Sequence, residues 1–231
     1  MTHARASPLD VRTIIQARMS SGRFPGKVLA PLGGRPVIAH VLERVAQAVP
    51  RDRIVVATSD QASDDPLALY VSSLSVSVFR GDLENVLGRF QACLRDEPAE
   101  WFLRISADSP FHDPELIRGL LAQAATSRAE VVTNTQPRTF PKGRSLECVR
   151  VAPFLEIDAR RATAEEREHV TPFLYHHPER FRVLNVESGD ASLAQTNLCV
   201  DTIEDLKRLE TLLQGGGPAP SPPLRAKPKA A

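Results

Sequence analysis

The order of apolar patterns along this chain constrains its fold more than any other feature of the sequence. Short runs rich in β-branched residues, typical of buried strands, alternate with segments that repeat apolar residues at helical spacing. The predicted strands are residues 11–16, 53–58, 76–79, 101–106, 130–133 and 198–200, and the predicted helices are residues 36–49, 65–74, 83–94, 114–125 and 203–213. This alternation predicts an α/β fold with a mostly parallel sheet and helices on both faces.

Residues 10–213 are predicted to form a single domain, because 231 residues with 42% hydrophobic composition suit one sizeable core. Within that domain, residues 135–190 are less regular and hold several prolines. We expect them to form a small insertion that covers the site or makes a subunit contact. The termini, residues 1–9 and 214–231, are expected to be disordered, since the C-terminal one is mainly Gly, Pro, Ala and Lys and buries little apolar surface.

Charge and cysteine content narrow the functional classes. The chain has 29 Lys and Arg against 28 Asp and Glu, and this near-neutral balance gives no general attraction to nucleic acid or an acidic membrane surface. Its cysteines, Cys93, Cys148 and Cys199, form no C-x-x-C pair, which argues against a zinc site and fits a reducing cytoplasm. No segment reads as a secretory signal or approaches the roughly 20 apolar residues of a membrane helix. We therefore expect a cytoplasmic protein with no nucleic-acid or membrane partner.

The loop after the first predicted strand is rich in cations and glycine. In parallel sheets ligands sit beyond the carboxyl ends of the strands, where this loop, residues 17–27, would lie. It places Arg18, Arg23 and Lys27 beside glycines that let the backbone approach a ligand closely. These groups suit a triphosphate, and a solvated basic loop is the alternative interpretation. The segment is neither a P-loop, since Val28 follows the lysine, nor a dinucleotide fingerprint.

Two aspartates follow predicted strands elsewhere in the chain. Asp108 comes just after the strand at residues 101–106, and Asp201 ends the strand at residues 198–200. Carboxylates from separate strand ends could share one Mg²⁺, which prefers oxygen ligands and substrate phosphates. The pattern predicts a magnesium site, with a plain helix N-cap as the alternative for Asp201.

A longer set of motifs carries a family resemblance. The segment IIQARMSSGRFPGKVLAPLGGRPVIAHVLERV, which begins at Ile14, resembles the opening of the CMP-sugar synthetase superfamily, and is most similar to its branch of spore-coat polysaccharide cytidylyltransferases. That superfamily includes the CMP-KDO and CMP-sialic acid synthetases. Later segments agree in order: VVATSD (55–60), FRGDLENVLGRF (79–90), RISADSPFHDPELI (104–117), EREHVTPFLYHHPERF (166–181) and VDTIEDL (200–206).

The resemblance implies a fold, an activity and a set of site residues. The fold would be a Rossmann-like three-layer nucleotidyltransferase fold. The activity would be transfer of CMP from CTP to a sugar acid or related small anionic acceptor, with release of pyrophosphate and dependence on Mg²⁺. The chain would act as a homodimer, as relatives suggest.

The implied residues fall into four groups. The catalytic residues would be Arg18, Lys27 and Asp108. The nucleotide would be bound by Ala17, Arg18, Ser21, Arg23, Lys27, Ala57, Thr58, Ser59, Arg80 and Ala107. The acceptor would be bound by Arg104, Glu147, Arg167 and His169. The metal would be bound by Asp108 and Asp201.

The sequence departs from the family pattern before the predicted acceptor region. The branch commonly reads G-L-D-V-E there, whereas Arg144 and Ser145 replace the Leu and Asp in this chain. The exchange removes a carboxylate and adds a cation, so it indicates a more anionic acceptor than usual. His169 could act as a general base or as a structural histidine.

Three other functions remain open at this point. One is a nucleotidyltransferase that uses another nucleoside triphosphate, or a phosphate or phosphonate acceptor, because fold does not determine substrate. Another is a glycosyltransferase-like enzyme that consumes a nucleotide sugar. The third is a non-catalytic homologue, which the departures at Arg144 and Ser145 favour and the retained cations and aspartates oppose.

Overall fold

The computed structural model describes residues 9–228, so the expectation of disorder for residues 1–8 and 229–231 lies outside the described residues. The strands are β1 (Val11–Gln16), β2 (Pro31–Leu32), β3 (Arg35–Pro36), β4 (Ile54–Ser59), β5 (Ser77–Gly81), β6 (Trp101–Ser106), β7 (Val131–Thr133), β8 (Glu147–Arg150), β9 (Val183–Glu187) and β10 (Arg225–Pro228). The helices are α1 (Val37–Ala46), α2 (Asp65–Ser73), α3 (Val86–Asp96), α4 (Pro114–Thr126), α5 (Val151–Leu155), α6 (Ala164–His169), α7 (Pro172–His176) and α8 (Ile203–Gln214).

In the described chain, eight strands form one sheet in the order β10-β9-β7-β8-β6-β1-β4-β5, and β2 pairs with β3 in a separate hairpin. The pairs β1–β4, β1–β6, β4–β5 and β7–β9 are parallel. Strand β8 runs antiparallel between β6 and β7, and β10 runs antiparallel to β9. The predicted α/β architecture with a mostly parallel sheet is confirmed.

Alternating side chains of the central strands build two cores, one on each face of the sheet. In β1, Ile15 packs with the helices α1, α2 and α4, whereas its neighbour Ile14 packs with α3, α5 and α7. Both are fully buried, as the period of two in a strand requires when helices cover both faces. The result is the predicted three-layer arrangement.

The region between residues 135 and 190 is more regular than its prolines suggested. It supplies β8 and β9 to the main sheet, and its short helices α5–α7 pack on one face. The description of this region as an irregular insertion is therefore wrong in part. Each strand has only four or five residues, too few to show a clear alternation in sequence.

The strand predicted at residues 198–200 is absent from the sheet. Its backbone instead bonds to loops, with Leu198 N donating to Lys142 O at 2.7 Å and Val200 N donating to Asp108 O at 2.8 Å. The next helix, α8, is capped by Thr202, whose hydroxyl accepts from Asp205 N, so Asp201 is not the cap.

The tail after α8 also differs from the expectation of disorder. Residues 225–228 form β10 on the sheet edge, and Leu224 packs against the core. Two of the tail's earlier groups, Ala219 O and Ser221 Oγ, accept hydrogen bonds from the buried Arg144. Composition alone was misleading because backbone pairing and one buried guanidinium hold this segment, which needs few apolar side chains of its own.

The strand order places a ligand site at one edge of the sheet. After β1 the chain continues through β4 and β5 on one side and then returns to β6 on the other side. Residues Gln16 and Ser106, which end β1 and β6, are register partners. The loops that follow them diverge at this switch point and leave a crevice between them. Among the described residues, no helix is long and apolar enough to span a membrane.

Candidate active site

A cavity of about 420 Å³ opens at this switch point, beyond the carboxyl ends of β1 and β6. Its wall combines the loop after β1, the loop after β6, the end of α6 and the segment before α8. It is lined by Gln16, Ala17, Arg18, Ser21, Gly22, Arg23, Lys27, Val28, Arg104, Ser106, Ala107, Asp108, Glu168, His169 and Asp201. Most of the residues predicted to bind nucleotide or metal are thus brought together.

The loop after β1 is folded back on itself by backbone hydrogen bonds. Met19 O accepts from Ser21 N at 3.0 Å and from Gly26 N at 2.8 Å. Gly26 has a positive φ of 76°, which an L side chain rarely adopts, and it directs the chain into a short turn of helix at Lys27. The turn buries Lys27 and points its ammonium group toward the strand ends.

Lys27 lies between the two aspartates that the sequence singled out. Its Nζ is 2.6 Å from Asp108 Oδ2 and 3.0 Å from Asp201 Oδ1. Asp201 also pairs with Arg23 at 3.1 Å and with Lys142 at 2.8 Å. Although partial burial acts to raise the pKa of Asp201, hydrogen bonds from Lys142 and Lys27 lower it to about 2. Both the predicted metal pair and two predicted phosphate-binding cations therefore converge on one point.

The chemistry of this cluster fits a divalent cation. Two carboxylates from different loops already hold one positive charge, the Lys27 ammonium, at a shared position. Within residues 9–228, no group of three or more His, Cys, Asp or Glu side chains could hold a metal. A magnesium ion would therefore take Asp108 and Asp201 from the protein and complete its shell with water and phosphate oxygens, as Mg²⁺ commonly does.

Asp64 is a buried carboxylate that sequence reasoning missed. Its Oδ2 accepts from Thr58 Oγ1, Ser59 N and Ser59 Oγ at 2.5–2.9 Å, and its Oδ1 accepts from Met19 N at 2.7 Å. Burial acts to raise its pKa, but these hydrogen bonds lower it overall. Asp64 thus ties the end of β4 to the cationic loop. In sequence it resembles only an N-cap beside Pro66, so no signal marked it.

The end of α6 contributes a second charged wall. Arg18 pairs with Glu168 at 2.9 Å across the cavity, and His169 is exposed beside them. The next residue, Val170, is fully buried with a positive φ of 67°, an unusual conformation for a β-branched residue. Packing of Val170 in the core enforces this sharp corner, which turns His169 toward the cavity.

Five predicted site residues line neither this cavity nor the second cavity that adjoins it. Ala57 is buried in β4, where its carbonyl accepts from Ala17 N, and Thr58 and Ser59 bind Asp64. Arg80 donates to Ser59 O and Gln61 O, and it also pairs with Asp65. Arg167 donates to Ala162 O. In the structure, four of them support the loops around the site and Arg167 supports α6.

A second cavity of about 560 Å³ adjoins the first, and Arg104 and His169 line both. Glu147 lies in its wall, where Arg104 pairs with one carboxylate oxygen at 2.6 Å and Tyr175 Oη donates to the other at 2.6 Å. Burial and the neighbouring Glu147 raise the pKa of Tyr175 well above its usual value, so the phenol remains a hydrogen-bond donor. Three of the four predicted acceptor residues meet here.

Arg144 does not contact either cavity, contrary to the expectation that it adds a cation to the acceptor region. Its guanidinium is buried and donates to Phe111 O, Ala219 O and Ser221 Oγ. The neighbouring Ser145 does line the second cavity. Adjacent residues in an extended segment point to opposite sides, so only one of the two departures faces a ligand.

The fold and the cavity define a class of protein: a three-layer α/β protein whose cationic loop and paired carboxylates, at a strand switch point, suit a nucleotide polyphosphate. More specifically, this chain belongs to the cytidylyltransferase family, which it matches over residues 13–216. It is accordingly an enzyme of the nucleotidyltransferase class, and the family resemblance inferred from its motifs is confirmed.

Individual relatives are similar to this chain over most of its length. The sequence is 35% identical over 217 residues to the spore coat polysaccharide biosynthesis protein SpsF of Bacillus subtilis (strain 168), covering 91% of this chain and 89% of that protein. It is 35% identical over 240 residues to the 3-deoxy-manno-octulosonate cytidylyltransferase of Agrobacterium fabrum (strain C58), with coverage of 87% and 94%. Its fold is similar to that of a cytidylyltransferase from Leptospira borgpetersenii serovar Hardjo-bovis (strain JB197), with a TM-score of 0.84, 27% identity and coverage of 90% and 87%.

Proposed function

We propose that this enzyme transfers CMP from CTP to a sugar acid or related small anionic acceptor and releases pyrophosphate. One observation carries the proposal: Lys27 lies between Asp108 and Asp201 at the strand switch point, within a cavity also lined by Arg18 and Arg23. The family description supports CTP as the nucleotide. The relative named for 3-deoxy-manno-octulosonate supports a sugar acid as the acceptor.

In this proposal the cations of the β1 loop bind the triphosphate. Arg18, Arg23 and Lys27 carry three positive charges on one short loop, and each is now paired with a carboxylate. Phosphate oxygens would replace those carboxylates as partners, so the loop keeps its charge neutralised when nucleotide enters. The charge that develops on the leaving pyrophosphate would then be stabilised by groups already in place.

The acceptor would attack the α-phosphate from the side of the second cavity. Asp108 and Asp201 would hold Mg²⁺, which when bound supplies charge neutralisation at the α-phosphate and orients the acceptor oxygen. His169 lines both cavities and is the side chain placed to accept a proton from that oxygen. Phosphoryl transfer of this kind depends mainly on positioning and electrostatics, which is what this set of residues offers.

A pyrophosphate-release screen tests the proposed reaction. The purified protein is mixed with Mg²⁺, one of CTP, UTP, ATP or GTP, and a panel of sugar acids, sugar phosphates and phosphonates. We expect acceptor-dependent release with CTP and a sugar acid. Preference for another nucleotide, or release that never depends on an acceptor, would contradict the proposal. A nucleotide-sugar donor consumed in place of CTP would indicate a glycosyltransferase.

Two variants test the assigned roles. We expect Asp108→Asn and Lys27→Ala each to lower kcat/KM by at least about 100-fold, because each removes a charge that acts on the reacting phosphates. Lys207→Ala is a matched control, since that lysine is exposed on α8 and lines neither cavity. Unchanged pyrophosphate release by either site variant, with its melting temperature also unchanged, would refute the assigned role.

A homodimer and a cytoplasmic location remain predictions from the sequence. The free, buried thiols of Cys93, Cys148 and Cys199 support a reducing compartment. Light scattering of the purified protein measures its oligomeric state directly.

A further inference from the structure

The second cavity contains an arginine that the assigned roles do not use. Arg138 lines this cavity from the turn between residues 135 and 138, which is closed by a bridge between Thr135 and Arg138. One of its guanidinium nitrogens, Nη1, donates to Ser145 Oγ at 2.7 Å. Within the described part of the chain, its other N–H groups meet no protein acceptor.

The carboxylates around Arg138 are already engaged or lie at the rim. Glu147 has one oxygen paired with Arg104 and the other bonded by Tyr175, so its charge is balanced inside the wall. Glu166, which does not line the cavity, pairs with His176 at 3.0 Å. Glu165 lines the cavity but is exposed and makes no ion pair with Arg138.

Among the described residues, no carboxylate forms an ion pair with the guanidinium of Arg138, so its charge is available to a ligand. The hydroxyl of Ser145 is neutral, so it can orient the guanidinium without compensating it. An arginine presents several N–H donors in a planar fork that matches carboxylate and phosphate oxygens. The part of the second cavity lined by Arg138 and Ser145 can therefore receive an anion.

The position of the second cavity determines which part of a substrate would reach Arg138. Arg104 and His169 separate the two cavities and line both, so a molecule in the second cavity can present one end to the first. Its other end then lies toward Arg138 and Ser145.

We propose that Arg138 and Ser145 form an anion subsite of the acceptor cavity, which binds a carboxylate, phosphate or phosphonate group on the acceptor other than the reacting oxygen. The proposal rests on the proposed function for the identity of the cavity as the acceptor site. Ser145 is the specificity-determining position, because its hydroxyl leaves the charge of Arg138 available. A carboxylate at residue 145 would neutralise the charge of Arg138.

The test compares Ser145→Asp with Ser145→Asn, two side chains of nearly equal size that differ in charge. The wild-type protein and each variant are first titrated calorimetrically with α,β-methylene-CTP and Mg²⁺. The saturated protein is then titrated with inorganic phosphate and, separately, with acetate, which distinguishes a phosphate-type group from a carboxylate. Melting temperatures confirm that both variants are folded.

We expect Ser145→Asp to weaken binding of phosphate or acetate at least about tenfold, since it supplies an internal partner for a charge-assisted hydrogen bond. Ser145→Asn should change that affinity by no more than about twofold. Arg138→Gln should reproduce the loss if Ser145→Asp does not fold. Equal anion affinity in the Asp and Asn variants would overturn the subsite.

Failure of the proposed function gives a different result. It would appear in the first titration, as absence of binding by the CTP analogue in the wild-type protein and in both variants. The difference in anion affinity between the Asp and Asn variants would still report on Arg138, because both leave the nucleotide cavity unchanged.

Discussion

Lys27 and His112 are both buried ionisable side chains, and the fold gives them different hydrogen-bond partners. The ammonium group of Lys27 donates to two carboxylates. His112 is 1% exposed, and neither ring nitrogen makes a hydrogen bond of good geometry within the described residues. Burial therefore favours the neutral imidazole and lowers the pKa of His112 to about 4.

The lowered pKa of His112 predicts how stability depends on pH. An unfolded histidine titrates near 6.5, so between about pH 6.5 and pH 4 the unfolded chain binds more protons than the native protein does. The free energy of unfolding should fall as the pH falls through this window, by about 2 kcal/mol at pH 5 from His112 alone. Urea unfolding of wild-type protein and His112→Gln at pH 7.5 and pH 5 measures the effect.

The comparison isolates one group, since every other titrating side chain is common to both proteins. We expect the loss of stability between the two pH values to be smaller in His112→Gln by that amount. Parallel losses in the two proteins would show that the imidazole is not held neutral.

At the scale of secondary-structure elements, positive φ values mark the places where the backbone turns sharply. Val170 turns α6 into α7 beside the cavity, where the turn positions His169. Ser75 follows α2 and lines neither cavity; its φ is 57°, and its N–H donates to Ser72 O at 2.9 Å. It occupies the position after a helix where glycine is usually found.

Glycine at residue 75 should stabilise the protein. Ser75 is exposed, so the substitution loses no packing and removes the cost of a left-handed conformation. We expect Ser75→Gly to raise the free energy of unfolding by about 0.5–1 kcal/mol. Ser73→Gly is the matched control and should lower it by a similar amount, because residue 73 is still within the helix. A loss of stability in Ser75→Gly would show that the turn is not strained.

At the scale of the whole molecule, the C-terminal tail joins parts of the chain that are distant in sequence. Its residues 219 and 221 accept from Arg144, and Ser221 N donates to Asp113, the N-cap of α4. Through Arg144 the tail also supports the segment that carries Ser145 into the second cavity. The tail therefore contributes to the shape of the acceptor side.

Truncation tests this contribution. Ending the chain after Gly215 would leave the buried guanidinium of Arg144 without two acceptors and would expose the edge of β9. We expect the free energy of unfolding to fall by about 3 kcal/mol or more, since each lost hydrogen bond to a buried charge costs about 1.5–3 kcal/mol. Ending it after Pro228 is the control, which keeps all these contacts. Equal urea midpoints for the two proteins would contradict a structural role for the tail.

The elements and the cationic loop were predictable from the sequence because their signals are local. Strands such as β1 and β6 are short runs rich in apolar residues, and α1 repeats apolar residues at helical spacing. Asp64 and Arg138 were not predictable, because their importance comes from partners brought close by the fold. Arg144 and Ser145 show the same limit, since the sequence named both but could not tell which one faces the cavity.

The α/β architecture, the family and the loop that carries Arg18, Arg23 and Lys27 follow from the order of residues, since periodicity and motif order lie along the chain. Which charged side chains meet depends on the fold. Asp108 and Asp201 lie far apart in the chain and reach one lysine only because β6 ends beside β1 and because Val200 bonds to the loop after β6. Electrostatic and hydrogen-bond energies depend on distances of a few ångströms, which no linear pattern specifies.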